Sequence, residues 1–114
     1  MSAWREAAEA ARDAFSWVRS HRREWAALLE IVREEREAGE RVRRGDVAKL
    51  ARDLGVDATL LPRFKFDHNL WAVLARLMVI EEPANASVLR FRRSKLDLLP
   101  LGRMWAAEKE GWPR

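Results

Sequence analysis

Three short segments hold the side chains with which this chain could do chemistry. Arg41, Arg43 and Arg44 lie in GERVRRG, Thr59, Arg63 and Lys65 in DATLLPRFKF, and Arg90, Arg92, Arg93 and Lys95 in SVLRFRRSK. All but Thr59 are cations. A guanidinium presents a planar fork of N–H donors that matches a phosphate, and an ammonium acts as a point charge. The threonine hydroxyl adds a donor of the kind that grips a phosphate oxygen. The chemistry on offer is the holding of a polyanion, with no bond made or broken. A phosphate could also sit near backbone N–H groups at a helix N-terminus just after Arg44. Taken one at a time, these residues would read equally well as a solvated connector and a charge-protected strand edge.

Bond-making chemistry has little to draw on. There is no Cys and no Tyr, and His21 and His68 are the two histidines. No HExxH pattern and no phosphate-cradling Gly-rich loop occurs. The carboxylates fall mostly on helix surfaces interleaved with Arg, where they read as solvated i,i+4 pairs. An enzyme is not expected, and neither a cofactor nor a metal ion.

Bulk numbers point the same way. The 114 residues carry 35% charged and 48% hydrophobic side chains, the balance of one globular domain with a heavily charged surface. The net charge is +4, unevenly placed. Residues 1–40 hold seven basic and nine acidic side chains, net −2, while residues 41–114 hold fifteen and nine, net +6. The basic excess therefore accompanies the three segments, as a polyanion partner would require. The absence of Cys fits a reducing compartment. With no basic-then-apolar leader and no apolar run near ~20 residues, a cytoplasmic location is expected.

The element that must position these cations is Gly45 to Phe66, GDVAKLARDLGVDATLLPRFKF. Asp46 suits an N-cap. Val47, Leu50, Ala51 and Leu54 then fall on one face of a short helix. Gly55 stands where a left-handed residue ends a helix, and Asp57 can cap a second helix opening at Ala58. Leu60, Leu61 and Phe64 would face back onto the first. Small residue, turn Gly and apolar anchors in that order resemble the helix-turn-helix superfamily, over about a fifth of the chain. Pro62 departs from that pattern. Inside a helix it costs roughly 3 kcal/mol, so the second helix should end or kink near Leu61. The same span would also suit an ordinary helical hairpin.

Around this core the chain reads as mainly α with a small β-hairpin. In Ser2 to Glu40, Trp4, Ala8, Ala11, Phe15, Val18, Trp25, Leu29 and Val32 keep one heptad phase, with Arg22 in the missing place. An unbroken phase favours one long helix, which would have to pair with a second copy. Ser20 as a cap favours two helices, or one bent there, and a domain of this size tips the balance to two. Leu70 to Ile80, LWAVLARLMVI, holds one charge, Arg76, and predicts a buried central helix whose Trp71 alone should cover ~150–250 Å². Met78 to Arg93 predicts a hairpin: VIEE, a PANA turn, then a strand with Leu89 and Phe91 alternating with Arg90 and Arg92. Helix followed by basic hairpin is similar to the winged-helix family, whose wing contacts the DNA backbone, although a winged helix has its wing directly after the reading helix. Leu96 to Leu101 predicts a packed connector, and Arg103 to Glu110 a last helix stopped at Gly111. Met104 and Trp105 should dock on the N-terminal helices, with Trp112 and Pro113 in a loose tail.

The expected architecture is one domain over residues 1–114: N-terminal helices at 1–40, offering a homodimer interface, a winged helix-turn-helix-like core at 44–95, and a C-terminal segment at 96–114. The expected function is nucleic-acid binding by a small dimeric transcription regulator on double-stranded DNA. The alternative is a protein-binding accessory factor or inhibitor that keeps such a core without reading DNA and meets an acidic protein. An RNA-binding subunit shares the same basic face.

Overall fold

The computed structural model describes residues 2–42, 68–89 and 92–113. The helix-turn-helix-like stretch 45–66 lies outside the described residues, as do Arg43, Arg44, Thr59, Arg63, Lys65 and Arg90. Within the described residues the protein is mainly helical, with four α-helices: α1 (Ala3–Ser20), α2 (Arg22–Glu37), α3 (His68–Glu81) and α4 (Leu101–Glu110). Two 3-10 turns, Pro83–Ser87 and Lys95–Leu98, lie between α3 and α4. No helix among them is long and apolar enough to cross a membrane.

The N-terminal segment is two helices. Ser2 caps α1, its side chain accepting from the Arg5 N–H at 3.2 Å. The break falls at His21, whose φ of −133° and ψ of 49° leave the helical region. Ser20 stays inside α1 and caps nothing. His21 closes the helix: its Nδ1 lies 2.8 Å from the Trp17 carbonyl oxygen, and its ring stacks on Trp17 at 4.8 Å between centroids. Histidine near a helix C-terminus satisfies an otherwise orphaned carbonyl in this way. At the far end, Gly39 takes φ +77° and α2 stops in a Schellman motif. There Glu40 donates to the Glu35 carbonyl at 2.8 Å and Gly39 to that of Arg36 at 3.1 Å.

Most of the apolar heptad phase is spent inside the chain's own core. Ala8, Ala11, Phe15, Val18, Trp25 and Val32 are buried, Leu29 is half-buried, and only Trp4 stands out at 58% exposed. Burial of each large aliphatic or aromatic side chain contributes about 1.5–3 kcal/mol before entropy. The long unbroken helix that would have called for a second copy does not occur.

α3 is the central helix that its composition predicts. Leu70, Val73, Leu74, Ala75, Leu77 and Met78 are buried, whereas Trp71 is only half-buried. α1 packs on α3, on α2, on α4 and on the second 3-10 turn. Trp105 of α4 meets Phe15 at 5.3 Å and Trp25 at 6.1 Å, so the last helix docks on both N-terminal helices. Trp112 is no loose tail. It packs edge-on against Trp105 at 5.2 Å, under the Arg22 guanidinium at 5.2 Å, while Arg22 donates to the Pro113 carbonyl at 2.9 Å. The arginine that interrupts the heptad phase is the one that holds this tail.

The hairpin expected over 78–93 is corrected. Met78 to Glu81 form the last turn of α3, because Val79 and Met78 continue its apolar face into the core and Pro83 is the first residue that must stop it. PANAS is a 3-10 turn. In place of a hairpin, Leu89 makes an isolated parallel bridge with Val42, the Val42 N–H donating to the Val88 carbonyl at 2.9 Å.

Candidate nucleic-acid interface

The Val42–Leu89 bridge joins two of the three basic segments. Val42 sits within RVRR (41–44) and Leu89 immediately precedes RFRR (90–93), so the same pattern of three arginines and one apolar residue occurs on both chains that meet there. Val42, Val88 and Leu89 are buried, each 5% exposed or less, which makes the bridge a fixed joint of the core. Covalent reach does the rest. A chain spans at most about 3.6 Å per residue, so Arg92 and Arg93, three and four residues beyond Leu89, lie within about 11 and about 14 Å of it, and Arg41 is the neighbour of Val42.

Arg41, Arg92 and Arg93 are exposed, and among the described residues none makes a direct ion pair, although the charge of Arg93 is felt by the Asp97 carboxylate. Arg33 and Arg36 of α2 differ. Arg33 bonds Glu82, and Arg36 reaches Glu82 at 3.0 Å and also bonds Asn85. Lys95 is half-buried and donates to Glu6 of α1 at 3.1 Å. It faces the N-terminal helix and fastens the second 3-10 turn to it. Among the described residues, the candidate cations left exposed are therefore Arg41, Arg92 and Arg93.

Two buried polar networks anchor this edge, one on each side. Upstream, Asn85 is fully buried. Its Nδ2 donates to the Met78 carbonyl at 3.0 Å, its Oδ1 accepts from Arg36, and its own carbonyl receives the N–H groups of Val88 and Leu89. Downstream, Arg76 of α3 is 5% exposed. Its Nε donates to Asp97 Oδ1 at 3.2 Å, its Nη1 to the Ala72 carbonyl at 2.9 Å, and its Nη2 to the Arg92 carbonyl at 2.9 Å and Ser94 Oγ at 3.3 Å. Ser94 and Asp97 also form a reciprocal capping box over the Lys95–Leu98 turn. Sequence reasoning passed over both anchors. Arg76 registered only as the one charge in an apolar helix, and Asn85 as a turn residue. A charge placed in an otherwise apolar helix was the signal that could have found the first, since such a group is buried only when bonded.

Two carboxylates in these networks titrate low. Hydrogen bonds from Arg33, then Arg36, hold the Glu82 carboxyl below its ordinary range, and the Arg33 guanidinium is raised in return. The Ser94 N–H, then Arg76, does the same for Asp97. A carboxylate with a depressed folded pKa stabilises the fold above its unfolded value, near ~4, and loses that contribution as pH falls through the folded value. The thermal midpoint is therefore expected to hold steady from neutrality to about pH 5 and to fall below about pH 4. Glu82→Gln should flatten that fall in circular-dichroism melts. A profile identical to that of the unaltered protein would remove Glu82 from the account.

No protein-family model, curated protein or solved structure matches the chain.

Proposed function

We propose that the protein binds nucleic acid, double-stranded DNA in the first instance, by gripping the phosphate backbone along a cationic edge. The observation that carries this reading is the buried Val42–Leu89 bridge, which ties a residue of RVRR to the residue just before RFRR. Six arginines then belong to two segments that meet at one joint, three of them exposed without a direct ion pair among the described residues. Arginine is the side chain best suited to bidentate phosphate contacts, and the contacts it makes along a backbone position a duplex without reading its sequence. Transcription regulation is the role in which a small protein of this kind would use such a grip. The helix-turn-helix-like stretch from Gly45 to Phe66 would then supply any base reading, with Thr59, Arg63 and Lys65 as its polar positions. Of the apolar heptad phase, Trp4 is the exposed member that a homodimer contact could use.

Backbone grip has a quantitative signature. If each copy neutralises about four phosphates, log affinity falls against log salt with a slope near −3.6 per copy. Fluorescence anisotropy with a mixed-sequence duplex at several salt levels measures it. Replacing Arg41, Arg92 and Arg93 together by Ala should shift the slope toward zero by about 2.7 and weaken binding alike on unrelated sequences. A flat salt response, or a triple variant that binds as the unaltered protein does, overturns the proposal. A stable complex with one acidic protein, unmoved by the same substitutions, would favour the accessory-factor alternative.

A further inference from the structure

We infer that Arg76 is a positioning residue for the cationic edge: from inside the core it sets the backbone that carries Arg92 and Arg93. The inference rests on the polyanion-binding reading above and deepens it. Arg76 is the one charged side chain in LWAVLARLMVI, and it is 5% exposed. Burying a guanidinium is costly, and a well-packed apolar side chain of similar volume usually serves a core as well or better. Core stability is therefore a poor reason for an arginine here, and geometry is a better one. The planar fork reaches the segment from Arg92 to Asp97 at three points: the Arg92 carbonyl, the Ser94 hydroxyl and the Asp97 carboxylate. A fourth donor holds the guanidinium to its own helix at the Ala72 carbonyl. The bond to the Arg92 carbonyl orients the peptide between Arg92 and Arg93, so it governs where both exposed side chains leave the surface. Ser94 and Asp97 then lock the next turn through their capping box. A bound polyanion would meet two cations already held in place, and preorganisation of this kind adds affinity by lowering the ordering cost of binding.

Lysine at this position keeps the charge and loses the fork, since an ammonium cannot span the same acceptors with fixed geometry. Arg76→Lys is therefore expected to lower affinity for a mixed-sequence DNA duplex about tenfold, to the level of the Arg92→Ala, Arg93→Ala double variant. Combining the two changes should cost little more than either alone, the non-additivity of groups that act as one unit. A role confined to stability would lower the melting midpoint and leave both the affinity of the folded protein and this coupling unmoved. Ser94→Ala gives a second route that leaves the buried cation its carboxylate. It should weaken duplex binding by about threefold, with faster amide exchange over residues 92–96. Should both variants bind as the unaltered protein does while Arg92→Ala, Arg93→Ala weakens it, the positioning role is overturned and the binding reading stands. Should the double variant also bind normally, the binding reading falls and this inference falls with it.

Discussion

Trp105→Ala is expected to lower stability by about 3–5 kcal/mol, the largest effect of any single substitution considered for this protein. Trp105 is 1% exposed, and four separate parts of the chain converge on it. Phe15 of α1 and Trp25 of α2 contact its ring, and Trp112 of the C-terminal segment lies edge-on to it. Its Nε1 donates to Glu81 of α3 at 2.7 Å, and Lys109, which pairs with that same Glu81, lies over the ring at 5.3 Å. Truncation removes the transfer energy of the indole and leaves a cavity that rigid helices on several sides cannot fully close. Domains of this size hold roughly 5–15 kcal/mol in all, so the loss is at least about a fifth of the total. Urea titration followed by circular dichroism should show the midpoint reduced with the slope retained, and the thermal midpoint lower by roughly 10–25 °C. Trp105→Phe should recover most of the loss and leave the Glu81 carboxylate short of one donor. A change under about 1 kcal/mol for the alanine variant would mean that the aromatic cluster is not what joins α4 to the N-terminal helices.

The second large effect is expected at Asn85. Asn85→Ala should cost about 1–3 kcal/mol, because it takes from the Met78 carbonyl one of its two donors, leaving it the Glu82 N–H, and removes a charge-assisted acceptor from Arg36. Unlike a core truncation, this change should also have a functional reading. The Asn85 carbonyl receives the Val88 and Leu89 N–H groups, and Val42 bonds the Val88 carbonyl in turn. The bridge that unites the two arginine segments is thus built on a turn that the Asn85 side chain secures. On the folded protein at low temperature, duplex affinity should fall along with stability in Asn85→Ala. In Trp105→Ala, whose cluster has no direct bond to the bridge, affinity should hold once the unfolded fraction is allowed for. Equal loss of affinity in both would break the link between the Asn85 anchor and the cationic edge.

How far the sequence could be read follows from which interactions are local. Helix periodicity is local, so α3 was legible from LWAVLARLMVI, and α4 from its composition and the Gly111 stop. The division of the N-terminal segment was legible as two helices, although the residue at the joint was not. His21 closes α1 through the Trp17 carbonyl and ring, a pairing that the serine-cap rule does not anticipate. The first strand of the expected hairpin was misjudged because the helical phase of α3 runs through it, whereas Arg90 and Phe91 of the alternating second strand lie outside the described residues. Met78 and Val79 belong to the apolar face of α3, and Pro83 with Asn85 makes a 3-10 turn where a strand reversal was expected.

Charge and residue type are read without any coordinates: the basic excess after residue 40 and the absence of Cys and Tyr are what raise the expectation of a polyanion partner. Which arginines act together is a different kind of fact. Val42 and Leu89 are 47 positions apart, and only packing of the 3-10 turn against α2 and α3 makes them neighbours. That packing engages Arg33 and Arg36 with Glu82 and Asn85, the second 3-10 turn on α1 pairs Lys95 with Glu6, and Arg41, Arg92 and Arg93 are left facing solvent. A cation is written into the chain by its codon, but whether its charge is neutralised within the fold or offered outward depends on which carboxylate the tertiary structure brings within about 4 Å of it.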